Sequence, residues 1–545
     1  MTIRSPQIHR LALGAALALL LLGLALARSP AVAAAQRPNF VVIQTDDQNA
    51  STLKGHYRNR AGAYHRIMPN TLDGIVRSGA EFRNHYASSP VCSPSRASLL
   101  TGQYPHSSGL LRNDGPFGGW TGWQALPAWR HNVPVALNRA GYRTAHFGKL
   151  INGYYDGPNR RVDRTVPPGW DRWFTTAFMP GARYYGYEVN DDGRAVGPIG
   201  NRNYRMGGPG VDPASCTAAK LLAGPGRGRC KHLTDVMTKA AIREIRTSGR
   251  RPFLLQIDYQ APHGDVRPPS GPTPLTRHAG SAARTPLPRT ASFNEADMSD
   301  KPAFLREAAG RQLGPRAINR LTRYYRRYVE ALRGVDDGVG AILKALRETG
   351  QLKNTYVFYL SDHGLFFGQH RFNQAKFLPY DDASKVAMAV RGPGIPAATK
   401  VNELTGNIDV PATLLRLSGV EPGYAVDGRP LGRFWRNPER RTRRPFEISL
   451  FVGDDAAPNR AAVSGRAPAV NYRGFRVGPY KYIRYRNGAR ELYDLSRDPE
   501  ELNNRIDKPR YAEVERYMAS HLQRVISCGG ASCREELPPW PSPGS

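Results

Sequence analysis

Asn39-Phe40-Val41-Val42-Ile43-Gln44-Thr45 is a short, β-branched apolar run that stops at two acids, Asp46-Asp47. Three later runs share that form. Tyr142-Arg-Thr-Ala-His-Phe147 leads into Gly148-Lys149, Phe253-Leu-Leu-Gln-Ile-Asp-Tyr259 into Ala261-Pro262-His263, and Thr355-Tyr-Val-Phe-Tyr-Leu360 into Asp362-His363. Helical patterns separate them at residues 133–140, 234–245 and 317–347. Strands alternating with helices predict a mostly parallel α/β sheet sandwiched by helices. In such open sheets ligands bind beyond the carboxyl ends of the strands. A single polar strand end is an ordinary turn or cap. Four of them, carrying Asp46, Asp47, Lys149, His263, Asp362 and His363, predict a site on one rim.

The 545-residue chain has 77 Lys+Arg against 45 Asp+Glu, a formal charge of +32, with 40% hydrophobic and 22% charged residues. Those fractions describe a folded protein and exclude wholesale disorder, a collagen, a coiled coil and a small disulfide scaffold. A multi-span membrane protein is excluded because only one long apolar run exists. That run, residues 11–27, follows Arg4 and Arg10 and leads to Ala33-Ala34-Ala35 before Gln36. Residues 1–35 therefore read as a secretory signal peptide cleaved near Ala35. The mature chain is expected to be secreted or at the cell surface, without stable membrane insertion. The basic excess suits an anionic polymer such as a sulfated or carboxylated glycan, and no nucleic-acid motif accompanies it.

Residues 37–420 read as one large α/β domain. After 420 the texture changes. Tyr472–Tyr485 and Glu491–Leu495 alternate around Arg486-Asn487-Gly488, a hairpin signal, and a helix is predicted near 511–525. Residues 421–536 thus read as a small antiparallel sheet with a helix, and the Pro-rich 537–545 as a disordered tail. Gly-rich 193–213 and Pro-rich 262–289 lack core periodicity and are predicted at the surface. In an oxidising compartment thiols pair. Nearness in sequence suggests Cys216 with Cys230 and Cys528 with Cys533, leaving Cys92 over.

The odd cysteine opens Cys92-Ser93-Pro94-Ser95-Arg96-Ala97-Ser98-Leu99-Leu100-Thr101-Gly102. Pro94 suits the first turn of a helix and Ser93 can cap it. Residue 92 is then expected just before a helix N-terminus, where free amides favour an anion. The pattern C-x-P-S-R-x-x-x-L-T-G resembles the signature of type I sulfatases, which have an alkaline-phosphatase-like fold. In that family the cysteine is oxidised to formylglycine, an aldehyde, which implies a formylglycine-generating enzyme as a maturation partner.

The resemblance extends residue by residue over about 37–535. Asp46, Asp47, Asp362 and His363, with the residue at 92, match the ligands of one divalent cation. Oxygen donors suit Ca²⁺ first and Mg²⁺ second, although the imidazole of His363 is a softer ligand than the more frequent Asn. Lys149 and Lys376, the latter in Gln374-Ala-Lys-Phe-Leu-Pro-Tyr380, match the two sulfate-binding lysines. His263 matches the histidine that contacts the ester, and Arg96 the arginine that orients the aldehyde hydrate. Ile151 stands where the family has a further histidine. Leu150-Ile151-Asn152-Gly153-Tyr154, Tyr185-Gly-Tyr187, Leu233-Thr-Asp235, Arg391-Gly-Pro-Gly394 and the Cys528, Cys533 pair are similar to the N-acetylglucosamine-6-sulfatase branch.

The resemblance implies hydrolysis of a sulfate monoester on a sulfated carbohydrate. One hydroxyl of the aldehyde hydrate attacks sulfur with Asp362 as base, and the second expels sulfate by C–O cleavage. Protonation of the leaving oxygen falls to His263, with Lys376 as competitor. Two other readings stand beside it: a phosphodiesterase or phosphonate monoester hydrolase of the same superfamily, and a non-catalytic binder of acidic polysaccharide.

Overall fold

The computed structural model describes residues 37–156, 161–176, 183–199, 231–265, 271–451 and 471–544. The expected signal peptide, Cys216, Cys230 and residues 200–213 of the Gly-rich stretch lie outside the described residues.

Ten strands form the central sheet. In chain order they are β1 (Asn39–Thr45), β2 (Ala80–Tyr86), β3 (Arg143–Gly148), β4 (Arg172–Thr176), β5 (Tyr187–Asp191), β6 (Arg194–Ile199), β7 (Phe253–Asp258), β8 (Thr355–Ser361), β9 (Met388–Arg391) and β10 (Thr399–Gly406). Across the sheet the order is β6-β5-β4-β3-β7-β1-β8-β9-β2-β10. Strands β4, β3, β7, β1 and β8 are adjacent and parallel. Strands β5 and β9 run against their neighbours. The four runs read from the sequence, β1, β3, β7 and β8, are therefore contiguous in space.

Every residue of β1, β7 and β8 is buried, as a parallel strand covered on both faces requires. Alternate side chains enter two cores. Val41, Ile43, Leu255 and Ile257 pack with helices α3 (Leu233–Thr247) and α4 (Pro315–Glu348). On the other face Phe40, Val42, Leu254 and Phe358 pack with α2 (Val133–Arg139) and α5 (Asp409–Ser418). The predicted mostly parallel sheet between helix layers is the observed architecture.

The second sheet is antiparallel and follows chain order: β11 (Phe446–Leu450), β12 (Tyr472–Val477), β13 (Tyr480–Tyr485) and β14 (Arg490–Asp494). Helix α6 (Ala512–Ile526) lays Val514, Met518 and Leu522 on Phe475, Val477 and Tyr482. The alternation read as one run from Tyr472 to Tyr485 is two strands joined at Gly478, whose φ is +52°. Cys528 and Cys533 form a disulfide. The residues after 420 first complete the large domain, since Leu431, Phe434 and Trp435 join the core of the central sheet.

Two expectations need correction. The Pro-rich stretch is partly a packed strap: Leu275, Ala282 and Leu287 are buried, and Arg277 pairs with Asp235 of α3 at 2.9 Å and Asp337 of α4 at 2.7 Å. The expected disorder of 537–545 does not hold for 537–544. Leu537 is buried with Met518 and Leu522, Trp540 packs on the same cluster, and the Gly544 amide donates to the Arg510 carbonyl at 2.8 Å. Proline prevents regular structure there, but Leu537 and Trp540 still gain by leaving water.

A buried ion pair ties the two sheets. Arg444, just before β11, donates to both oxygens of Asp409 in the first turn of α5, at 2.8 and 2.9 Å. Removing one partner leaves the other charge buried without its counter-ion. Arg444→Ala is expected to reduce unfolding free energy by about 3 kcal/mol. A urea titration measures this, and a loss below about 1 kcal/mol would show that Asp409 is held adequately by its backbone donors.

Candidate active site

Strand register sets the level of the site. Gln44 pairs with Asp258, Thr45 with Ser361, and Asp258 with Gly148. Asp46, Asp362 and Lys149, each one residue beyond those positions, therefore leave the sheet on one line. Asp47 turns back with φ +69°, a left-handed conformation that Asp tolerates better than most residues. Its amide donates to Asp362 Oδ1 at 3.2 Å and its carbonyl accepts from the Tyr328 hydroxyl at 2.8 Å. Gly148 has φ +118°, and a Cβ there would run into the Asp258 carbonyl. Glycine thus lets Lys149 turn inward.

Helix α1 (Cys92–Thr101) is buried along its whole length. Cys92 is its first residue rather than the one before it, and Val91 is the N-cap. Ser93 does not cap the helix. Its amide donates to Asn113 Oδ1 at 2.8 Å and its hydroxyl accepts from the Asn152 amide at 3.1 Å. The expected placement of residue 92 at a helix start holds, one position inward.

All the side chains singled out in the sequence surround Cys92 or its neighbours. Cys92 Sγ lies 3.3 Å from His363 Nε2, 3.4 Å from Lys376 Nζ and 3.8 Å from Asp46 Oδ1. Lys149 Nζ donates to Asp46 Oδ2, and Lys376 Nζ to Asp47 Oδ1 at 2.9 Å. His363 Nδ1 is 3.3 Å from Asp47 Oδ1. Arg96 places Nε and Nη2 on Asp362 Oδ2, both at 2.9 Å, and donates Nη1 to the Lys149 carbonyl at 2.8 Å. His263 stands at the mouth, 22% exposed, with Nε2 3.8 Å from Asp47 Oδ2. Asp46, Cys92, Arg96, Lys149, Asp362 and His363 are buried beneath it.

The electrostatics follow from this packing. Burial opposes ionisation of Asp46, but Lys149, His263, Arg96 and Lys376 outweigh it and hold its carboxyl well below the usual range. Asp47 behaves alike, with Lys376 the main counter-charge. Burial and Asp46 push the Cys92 thiol up, while Lys149, Lys376 and His363 bring it below its ordinary value. Burial would neutralise Lys376, yet Asp47 and Cys92 hold its ammonium well above the usual range.

Ligand atoms of Asp46, Cys92, Asp362 and His363 lie within 4.8 Å of one another, as do those of Asp46, Asp47 and His263. Each group brings together two carboxylates, whose oxygens suit a hard divalent cation, and one imidazole, a softer donor.

Three residues of the surroundings escaped the sequence reading. His146 and Asp258 are polar positions within the apolar runs, a signal the sequence does carry, but neither follows its run. Tyr328, which holds Asp47, comes from the middle of α4 and carries no local signal.

The family model described as Sulfatase matches residues 38–420, and one described as N-sulphoglucosamine sulphohydrolase, C-terminal, matches 368–527. The chain belongs to the sulfatase family. It is a sulfuric ester hydrolase, and it resembles the N-acetylglucosamine-6-sulfatase branch. An arylsulfatase of Volvox carteri is 31% identical to this sulfatase, covering 96% of this chain and 79% of its own. The human N-acetylglucosamine-6-sulfatase is 27% identical, covering 97% and 92%. A structure described as being in complex with its substrate D-glucosamine-2-N,6-O-disulfate aligns with TM-score 0.65 and 22% identity, covering 89% of this sulfatase and 97% of that chain. That likeness shows the alkaline-phosphatase-like fold.

Proposed function

We propose that this sulfatase hydrolyses sulfate monoesters on a sulfated carbohydrate outside the cytoplasm, using a formylglycine derived from Cys92 and one divalent cation, Ca²⁺ ahead of Mg²⁺. The supporting observation is the convergence of Lys376, His363 and Asp46 on Cys92, with Lys149 and Asp362 beside them. Relatives named for arylsulfate and N-acetylglucosamine-6-sulfate chemistry support the substrate class. Among the described residues no helix is long and apolar enough to cross a membrane.

Asp46, Asp47, Asp362, His363 and position 92 would hold the cation, which supplies Lewis acidity toward a sulfate oxygen. The formylglycine hydrate would supply a nucleophilic hydroxyl and a second oxygen by which sulfate is released. The rest is done by this chain's own side chains. Lys149 and Lys376, each held by a carboxylate, gather the negative charge that develops on the transferring group. Arg96 fixes Asp362, the proposed base, from one side, while the Asp47 and His363 amides fix it from the other. His263 is placed to protonate the leaving oxygen because it stands at the mouth where the alcohol departs, whereas Lys376 lies deeper, between Asp47 and Cys92.

Cys92 is 1% exposed, so a formylglycine-generating enzyme would have to act before the chain folds. The test is mass spectrometry of the peptide containing residue 92, from protein made in its own host. The expected mass is that of the aldehyde or its hydrate; a quantitative unmodified thiol would overturn the reading.

A further inference from the structure

Behind Arg96 the structure buries a carboxylate that the mechanism above does not use. Asp258 ends β7 and has no exposure to solvent. Its Oδ2 accepts from His146 Nε2 at 2.9 Å and Gln256 Nε2 at 2.8 Å, and stands 3.9 Å from Arg96 Nη1. Its Oδ1 accepts no hydrogen bond among the described residues. The support is built from three adjacent strands. His146 of β3 is the cross-strand partner of Gln256 on β7, its Nδ1 meets Thr175 Oγ1 of β4 at 2.6 Å, and its ring stacks on Trp173 with centroids 4.6 Å apart.

Neither obvious role accounts for this residue. Asp258 belongs to neither group of candidate ligand atoms. Arg96 is held without it: Asp362 Oδ2 accepts from Nε and stands 2.9 Å from Nη2, Asp46 Oδ2 lies 3.4 Å from Nη2, and the Lys149 carbonyl accepts from Nη1. A partly satisfied buried carboxylate is costly to fold around. What it adds to the site is one negative charge, fixed beside the guanidinium that backs the sulfate-binding face.

We propose that Asp258 is a specificity-determining positioning residue: acting through Arg96, it lowers the positive charge presented to the ester and favours monoanionic sulfate monoesters over dianionic phosphate monoesters. This rests on the proposed reading of the Cys92 pocket as the place where the ester binds. The sign of the effect does not depend on what else the pocket holds, because removing one buried negative charge always favours the more highly charged substrate. Unit charges about 10 Å apart at an effective permittivity of about 20 change such a ratio about tenfold.

The test compares kcat/KM for an aryl sulfate, an aryl phosphate and an aryl phosphonate monoester at about pH 8, where the phosphate is dianionic and the other two carry one charge. Asp258→Asn is expected to raise the phosphate-to-sulfate ratio about tenfold. It should leave the phosphonate-to-sulfate ratio within about twofold, because those substrates carry equal charge. General damage to the pocket would depress all three together. A phosphate-to-sulfate change below about twofold, or an equal rise for the phosphonate, would overturn the proposal. His146→Gln keeps the carboxylate and should keep the ratio; an equal shift in that variant also overturns it. If Asp258→Asn does not fold, the double variant Asp258→Asn/His146→Gln makes the same charge change with complementary amides, and the same criteria apply. A wild type that turns over no sulfate ester would remove the underlying reading, and this inference with it.

Discussion

Cys92→Ser is expected to lower steady-state turnover of an aryl sulfate by on the order of 10⁴ or more and to leave the fold in place. The side chain at 92 is where the candidate site converges: His363, Lys376 and Asp46 all lie within 3.8 Å of its sulfur. In the proposed mechanism a serine hydroxyl would replace the formylglycine hydrate as nucleophile once. It has no second oxygen on the same carbon from which sulfate could be expelled, so the cycle stops after one event. The exchange of sulfur for oxygen at the first residue of α1 disturbs no backbone bond, because the helix is capped at Val91 and the Ser95 amide still meets the Val91 carbonyl. Thermal unfolding should therefore follow the wild type. Activity comparable to the wild type in this variant would refute the proposed role of position 92, whatever the fate of the other residues.

Lys149→Ala is expected to reduce kcat/KM by on the order of 10²–10³, mostly in kcat. Lys149 is fully buried and donates to Asp46 Oδ2, so its charge is fixed before substrate arrives. In its proposed role, such a preorganised ammonium would act most strongly when charge on the sulfate oxygens is greatest. Its loss also removes the largest counter-charge of Asp46, which loosens the carboxylate nearest the Cys92 sulfur. Inorganic sulfate inhibition and aryl sulfate kinetics in the same preparation would measure both consequences. A change under about threefold in kcat/KM would remove Lys149 from the site.

The rim itself was legible because the chemistry-bearing residues follow apolar runs directly. Parallel strands in one sheet bring such ends to one side, and the observed register, Gln44 with Asp258 and Thr45 with Ser361, puts them at one level. Lys376 was legible only through family resemblance: it sits in a loop, with positive φ at Gln374 and Phe377 on either side, and no periodicity points to it. Asp258 and His146 were hidden for the opposite reason. They lie within the apolar runs themselves, Asp258 as the last residue of β7, where a polar residue reads as an exception until its neighbours are known.

The alternation of apolar runs and helices, the acids closing β1 and β8, and the eleven-residue segment from Cys92 to Gly102 carried the fold class, the family and most of the candidate site, because each is encoded in neighbouring residues. The engagement of Ser93 by Asn113 and Asn152, the packing of Leu275 and Trp540, and the placement of Asp258 behind Arg96 were set by contacts between segments far apart in the chain. Local patterns report which surface a segment must bury and where it must turn. Which partner receives that surface, and which charge ends beside which, depends on how the two sheets and their helices close together.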